Sequence, residues 1–387
     1  MKSILALSGS RADYYLQRPA FKKFCNSNKY KLNLIVTGGI LEEKEGKTLE
    51  DIINDNINIC GKIKSLKFEN KNHIEEISNI SCKVDKIIKS IKPDLALVYA
   101  DRYESFAFAL ATFHADLINF HVEAGDITEG GTYDDQLRHC ISKISHIHAC
   151  STYKGTEVLQ NFGEEKWRIK QIGLLSYGDM KIIPLKESKI VAHQLKLKDD
   201  RPLVICTMHP IPRSEQITEY EIEEVLKGLE IFSKEVQADI IITSPNPDKG
   251  NQIIFRKIQQ KISNIHNCQY IESLGGYRYH SLLGLARKKS VTLCGNSSSI
   301  IKEAPFFKAN GLNIGIRQTG REKASTQIDI KADANEIYKN LLALSKFMPK
   351  EVVNPYSNKN SCNLLYEHVD GILNSKSRNE ILFKKWA

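Results

Sequence analysis

Leu95-Ala96-Leu97-Val98-Tyr99, followed by Ala100-Asp101-Arg102-Tyr103-Glu104, holds the plan of the chain in ten residues. The first five are apolar with no polar–apolar alternation. A run this short and continuous suits a strand buried on both faces, as in a parallel sheet. The charged residues that follow mark the strand's end, with Asp101 and Glu104 as candidate helix caps. Working outward, Ile4–Leu7, Leu32–Val36, Leu117–Phe120 and Ile147–Cys150 have the same character. Amphipathic stretches such as Val84–Ile91 and Tyr133–Ser145 lie between them. The rhythm restarts at Leu203–Cys206 and continues through Ile240–Thr243, Val291–Cys294 and Gly311–Ile314. Strand–helix alternation of this kind predicts parallel sheets covered by helices, here in two series.

A length of 387 residues also favours two domains. The charged stretch Leu174–Asp200, with Pro184, reads as a helix-poor linker. The expected division is an N-terminal Rossmann-like domain at 1–175, a C-terminal Rossmann-like nucleotide-binding domain at 176–365, and a helix at 366–387 packing back on the first. Such sheets bind ligands beyond the carboxyl ends of their strands.

Composition narrows the function. The net charge is +9, but the lysines are scattered rather than gathered on one arm or face, which argues against nucleic acid and fits a small anionic substrate. None of the nine cysteines forms a Cys-x-x-Cys pair, and no Cys/His spacing suits zinc. Reduced thiols in a cytoplasmic protein are expected. No apolar run approaches membrane-spanning length, and Met1–Leu7 lacks a signal-peptide pattern.

The chemistry-bearing residues cluster just after predicted strands. Ser8-Gly9-Ser10-Arg11 offers a tight turn, helix amides and a guanidinium, a fit for phosphate. An ordinary strand–helix turn reads the same way. Asp101 and Glu104 suit either helix capping or an acidic site. His121-Val122-Glu123-Ala124-Gly125-Asp126 leads to Thr128-Glu129-Gly130-Gly131 and then to a predicted helix, Thr132–His146. Asp134 and Asp135 fall in its first turn. Asp135, Arg138 and His139 share a face at i, i+3 and i+4. Crowded carboxylates raise one another's pKa, as general acid–base chemistry near neutrality requires; a salt-bridged surface helix is the plainer reading. In the second series come His209-Pro210, Ser244-Pro245-Asn246-Pro247-Asp248, and Cys294-Gly295-Asn296-Ser297-Ser298-Ser299 with Glu303 beyond. Serines opening a helix form a diphosphate cradle, and Glu303 suits ribose hydroxyls. A Ser/Glu capping box fits the same spacing. Arg317 and Arg321 follow the last predicted strand.

Taken in order, these segments resemble the hydrolysing UDP-N-acetylglucosamine 2-epimerase family, in its bacterial sialic-acid and legionaminic-acid branch. The matching pieces run from Ser8-Gly9-Ser10-Arg11-Ala12-Asp13-Tyr14 to Arg317-Gln318-x-Gly320-Arg321, over residues about 3 to 330. The resemblance implies an α/β GT-B fold, two Rossmann-like domains with the active site in the cleft between them. It implies loss of nucleoside diphosphate from C1 after proton removal at C2, then hydration of a 2-acetamidoglycal to a free manno-configured sugar. No cofactor and no metal enters that scheme. By motif position Asp101, Glu123 and Asp135 are the acid–base carboxylates, with Asp126 or Asp134 as substitutes. Arg138 and His139 position sugar or acids, and His209 meets the departing diphosphate. Arg11, Ser298, Ser299 and Arg317 hold phosphate, with Asn246 and Arg321 also at the substrate, and Glu303 holds ribose. A dimer or tetramer is expected. The other readings are a non-hydrolysing 2-epimerase, a GT-B glycosyltransferase and a non-catalytic nucleotide-sugar sensor.

The chain departs from the family pattern in several places. Ile40 stands where a His is usual, Tyr15 where a Gly is, Ala100 before Asp101 where a Gly is, and Ile316 where an Asp precedes Arg-Gln; Gly173-Leu174-Leu175-Ser176 also differs. A less polar pocket at Ile40 and Ile316 would suit a 6-deoxy sugar such as diacetylbacillosamine.

Overall fold

A computed structural model of the chain describes residues 1–41, 46–66, 73–130, 132–246 and 248–385. Gly131 and Pro247, which belong to two of the motifs above, lie outside the described residues. The chain forms two compact units. The first comprises Met1–Asp126, Asp134–Met180 and Tyr356–Ala387, and the second Ile127–Tyr133 and Lys181–Pro355.

Among the described residues the first unit holds seven parallel strands: β1 (Lys2–Ser8), β2 (Tyr30–Thr37), β3 (Asn58–Ile63), β4 (Leu95–Tyr99), β5 (Ile118–Val122), β6 (Ile147–Cys150) and β7 (Ile169–Gln171). Their order is β3-β2-β1-β4-β5-β6-β7. Alternate residues of β1 feed opposite layers: Ile4 and Ala6 join one apolar cluster, Leu5 and Leu7 the other. That is why the run shows no alternation of polarity. The second unit holds six: β8 (Leu203–Thr207), β9 (Asp239–Thr243), β10 (Cys268–Ile271), β11 (Val291–Gly295), β12 (Asn310–Ile314) and β13 (Gln327–Ile330), in the order β10-β9-β8-β11-β12-β13. In each sheet the order reverses once, between β1 and β4 and between β8 and β11. Loops leaving the carboxyl ends of strands at such a reversal diverge and leave a crevice.

Several expectations need correction. The strand expected at Leu117–Phe120 runs Ile118–Val122, because His121 and Val122 are fully covered and continue the ladder beside β4 and β6. The helix expected at Thr132–His146 runs Asp134–Ile144. The stretch Leu174–Asp200 is not helix-poor. It contains a 3₁₀ turn at Leu175–Gly178 and a helix at Leu185–Gln194. Pro184 is the N-cap of that helix, where its missing N–H costs nothing, and Ser188, Val191 and Ala192 bury its inner face. The units also part from the expected boundaries. Residues 176–180 and 356–365 pack with the first unit, and 127–133 with the second.

The C-terminal segment is integral to the first unit. The helix Ser361–Ser375 places Leu365, Val369 and Ile372 in the core that contains Ile4 and Phe24, and Ile381 joins them from the next helix. Burying each such side chain is worth about 1.5–3 kcal/mol. The fully buried Arg168 donates to the carbonyls of Ile381 at 2.7 Å and Glu380 at 3.0 Å. Lys384 pairs with Glu164 at 2.6 Å.

Candidate functional site

In the first unit the expected acidic residues gather at the ends of β4 and β5. Ala100 and Glu123, the residues just past these strands, both have positive φ, 55° and 60°. Residues other than glycine seldom adopt that backbone conformation, and it concentrates where surrounding structure enforces a turn for function. The enforcement is visible: the Ala100 N–H donates to Val122 O at 2.9 Å, and the Ala124 N–H donates to Ala149 O at 3.2 Å. Glu123 is thereby turned under cover, and its Oε1 accepts the Tyr99 hydroxyl at 2.6 Å. Burial, and then the charge of Glu123, push the Tyr99 phenol well above its usual pKa, so it stays a donor.

The helix Asp134–Ile144 supplies the facing groups. Arg138 is 1% exposed, and its guanidinium pairs with Asp101, with Asp135 at 3.2 Å, and with the carbonyl of Asp126 at 2.8 Å. Burial opposes its charge, but Asp101, Asp126 and Asp135 outweigh that and raise its pKa. His139 Nε2 lies 3.6 Å from Asp135, and burial lowers its pKa. Asp135, Arg138 and His139 thus share one face, and Arg138 is buried, unlike a side chain of a solvated surface helix. Asp134 is half-buried at the start of the same helix. Arg11 is exposed at the first turn after β1, with its guanidinium 5.8 Å from the Tyr15 ring centre. Beside that turn Asp13 is held near Arg102 at 3.9 Å, and burial lifts its pKa to about 6.

In the second unit the expected residues fall into one connected set and two satellites. Asn296, fully buried just past β11, is the hub. Its Oδ1 accepts the His209 backbone N–H at 2.6 Å, and its Nδ2 donates to His209 O at 2.9 Å. Its own carbonyl accepts from Arg317 at 3.3 Å and Gln318 at 2.9 Å. Gly295 (φ 117°) lets β11 end this close to Thr207, where a Cβ would overlap the carbonyl. His209 Nδ1 accepts the Asn246 N–H at 3.0 Å. Burial and Arg317 depress the imidazole pKa to about 3, so the ring is neutral with its proton on Nε2. Ser297 caps the helix Ser298–Lys302, and Ser299 accepts the Tyr279 hydroxyl at 2.9 Å. Ser298 is half-buried at the first position of that helix. The capping-box alternative for Glu303 does not hold. Glu303 lies at the C-terminal end of this short helix, and its carboxylate is 3.2 Å from His280 Nε2. Arg321 reaches Thr128 Oγ1 at 3.4 Å, and the Glu129 N–H donates to Thr319 O at 2.9 Å, which docks the 127–133 loop within this unit.

Of the two apolar replacements, Ile40 is 1% exposed inside the first unit's core, so it contributes nothing to pocket polarity; Ile316 is 43% exposed. Sequence reasoning left out Tyr99, His280 and Glu221. Tyr99 stands at the carboxyl end of a strand and was open to discovery on that ground. Glu221 is 3% exposed; its Oε1 accepts the Ile316 N–H at 3.0 Å, and burial raises its pKa to about 7.

Among the described residues no group of three or more His, Cys, Asp or Glu side chains is placed to hold a metal ion, and no helix is long and apolar enough to cross a membrane. All nine cysteines are free thiols.

The family described as UDP-N-acetylglucosamine 2-epimerase matches the chain over residues 22–369. A GDP/UDP-N,N'-diacetylbacillosamine 2-epimerase (hydrolyzing) of Campylobacter jejuni is 31% identical over 332 residues, 85% of this chain and 84% of the relative. A UDP-N,N'-diacetylbacillosamine 2-epimerase (hydrolyzing) of Legionella pneumophila is 27% identical over 341 residues, 85% of each chain. The crystal structure of the Neisseria meningitidis UDP-GlcNAc 2-epimerase bound to UDP-GlcNAc has a TM-score of 0.80 at 20% identity, covering 96% of this chain and 100% of that one. At that identity the likeness carries the fold, two Rossmann-like domains of the GT-B type. By the family match and the relatives' coverage, the chain belongs to the UDP-N-acetylglucosamine 2-epimerase family.

Proposed function

We propose that the protein is a hydrolysing 2-epimerase of a nucleoside-diphospho 2-acetamido sugar, and that the sugar is a 6-deoxy 2,4-diacetamido one. The observation that carries the reaction type is Glu123, a buried carboxylate in a strained turn with one oxygen fixed by Tyr99. Such a group is oriented for proton transfer and restrained from turning away. The substrate class rests on the two diacetylbacillosamine 2-epimerases among the relatives. Ile40 lends it no support.

In this reading a carboxylate, Glu123 or Asp101, takes the proton from C2. The C2–H electron pair becomes the C1–C2 double bond, and the nucleoside diphosphate leaves C1 with the C1–O pair. Water then adds to the glycal: hydroxyl at C1, and a proton at C2 from the face opposite to the one that lost it. Asp135 is the second acid–base group, with Asp126 or Asp134 as its substitute. Arg138 and His139 hold the sugar or these acids. Oriented donors take the developing charge: His209 Nε2–H, Arg317, Arg11, and the hydroxyls of Ser298 and Ser299. Asn246 and Arg321 line the diphosphate, and Glu303 takes the ribose. Oriented donors at a leaving group are a large catalytic contribution. The free thiols fit a cytoplasmic setting, and the active form is a dimer or tetramer.

The test is proton NMR in deuterated buffer with UDP-diacetylbacillosamine, its GDP counterpart and UDP-GlcNAc. Free manno-configured sugar bearing deuterium at C2, with released nucleoside diphosphate, is the expected result. UDP-ManNAc without hydrolysis would identify a non-hydrolysing epimerase. Binding without turnover would identify a sensor. Equal turnover of UDP-GlcNAc would remove the 6-deoxy preference.

A further inference from the structure

His121 is fully buried on β5, two residues before Glu123, and it has no place in the chemistry above. Both of its ring nitrogens are engaged, in opposite directions. Nε2 lies 2.8 Å from the carbonyl oxygen of Ala100, and Nδ1 lies 2.9 Å from Ser142 Oγ. A carbonyl only accepts, so Nε2 must carry the proton. Nδ1 is then the acceptor and the Ser142 hydroxyl the donor. Ala100 is the positive-φ residue immediately before Asp101. The backbone is therefore held on both sides of Ala100, by its N–H to Val122 and by its carbonyl to His121. Ser142 lies four residues beyond Arg138, on the same face of the same helix, and both are 1% exposed. One imidazole thus ties the turn that carries Asp101 to the helix that carries Arg138, in parallel with the ion pair itself.

We infer that His121, neutral and protonated on Nε2, is a positioning residue that fixes Asp101 against Arg138. The inference rests on the proposed reaction, in which Asp101 handles a proton. The groups facing the ring are His148 on β6, Arg138 and Asp101. Burial, acting first, keeps the imidazole from charging despite Asp101, with a pKa near 3.

Three variants test it: Ser142→Ala, His121→Gln and His121→Phe. Gln can still donate to Ala100 O; Phe can do neither. The expected result is a kcat loss of about 10²-fold for His121→Phe, the scale of a misplaced catalytic group. Gln recovers at least about tenfold of it, Ser142→Ala gives a smaller loss, and KM changes by less than about threefold in each. Ser142→Ala works from the helix side and leaves β5 and Glu123 alone, so it stays informative if His121→Phe fails to fold. In the ¹⁵N-histidine spectrum of the wild type, the imidazole signal that His121→Gln removes remains neutral, with its proton on Nε2, across the pH range of activity. Equal kcat in His121→Gln and His121→Phe, a kcat unchanged in Ser142→Ala, or a proton on Nδ1 overturns the inference. Absence of turnover in the wild type instead overturns the proposed reaction, and leaves the tautomer to be read independently.

Discussion

Replacing Glu123 by Gln separates chemistry from architecture better than any other single change in the first unit. The amide keeps the shape and keeps an oxygen for the Tyr99 hydroxyl, now 2.6 Å from the carboxylate. What is lost structurally is the difference between a charge-assisted and a neutral hydrogen bond, about 1 kcal/mol. In a unit of about 200 residues that lowers Tm by about 2–4 °C. What is lost chemically is the ability to take a proton from carbon. General-base contributions of about 10²–10⁴ correspond to about 3–5 kcal/mol of barrier. UDP affinity should stay within about twofold, because the expected nucleotide-holding residues lie mostly in the second unit. The assay is deuterium incorporation at C2 and release of free sugar, followed by NMR, with UDP binding by calorimetry and Tm measured on the same preparation. A folded variant within tenfold of the wild-type rate would remove Glu123 from proton transfer. Parallel loss of rate, UDP affinity and a large part of Tm would show that its role is structural.

Asp101→Asn removes one of the negative charges that hold the buried Arg138, while Asp135 and the Asp126 carbonyl remain beside it. It should cost about 2–3 kcal/mol, below the 3–5 kcal/mol of a fully orphaned pair, and should abolish turnover; an unchanged Tm would mean that the pair contributes little. Glu303→Ala should weaken UDP binding about tenfold, the worth of one hydrogen bond to a charged group, and unchanged affinity in titration would refute the ribose assignment. Glu221 favours its protonated form in the fold, with a pKa raised from 4.5 to about 7. The native state therefore binds the extra proton, and stability falls as pH rises from about 4.5 through about 7, by at most about 3 kcal/mol. Glu221→Gln should flatten that part of the Tm–pH curve, and an identical slope in wild type and variant would show that Glu221 does not cause it.

The interior of each sheet was legible because a central parallel strand must be apolar on both faces. The strands that went unrecognised, β3, β7, β10 and β13, are the four edges. Asn58-Ile59-Cys60-Gly61-Lys62-Ile63 and Gln327-Ile328-Asp329-Ile330 mix polar and apolar residues because an edge meets water, and nothing in such a run separates strand from loop. The acidic and basic motifs were legible because they follow the strands directly. Their partners were not. Tyr99–Glu123, Asn296–His209 and His121–Ser142 join residues about 20 to 90 positions apart, and only the sheet order brings them together. Ile40 shows the converse error. Its place in the motif order points to a ligand pocket, while the side chain packs among Tyr14, Val36 and their neighbours in the core.

The return of Ser361–Leu382 to the first unit has a consequence for synthesis. On the ribosome, the face formed by Phe24 and Tyr30 stays open until the chain has passed through the whole second unit. At about 5–20 residues per second, roughly 200 residues of delay amount to about 10–40 s. The second unit, most of it one continuous stretch, can complete its sheet first. The domain that begins the chain is the last to close, and for that interval its uncovered aromatic face is where a holding chaperone would bind.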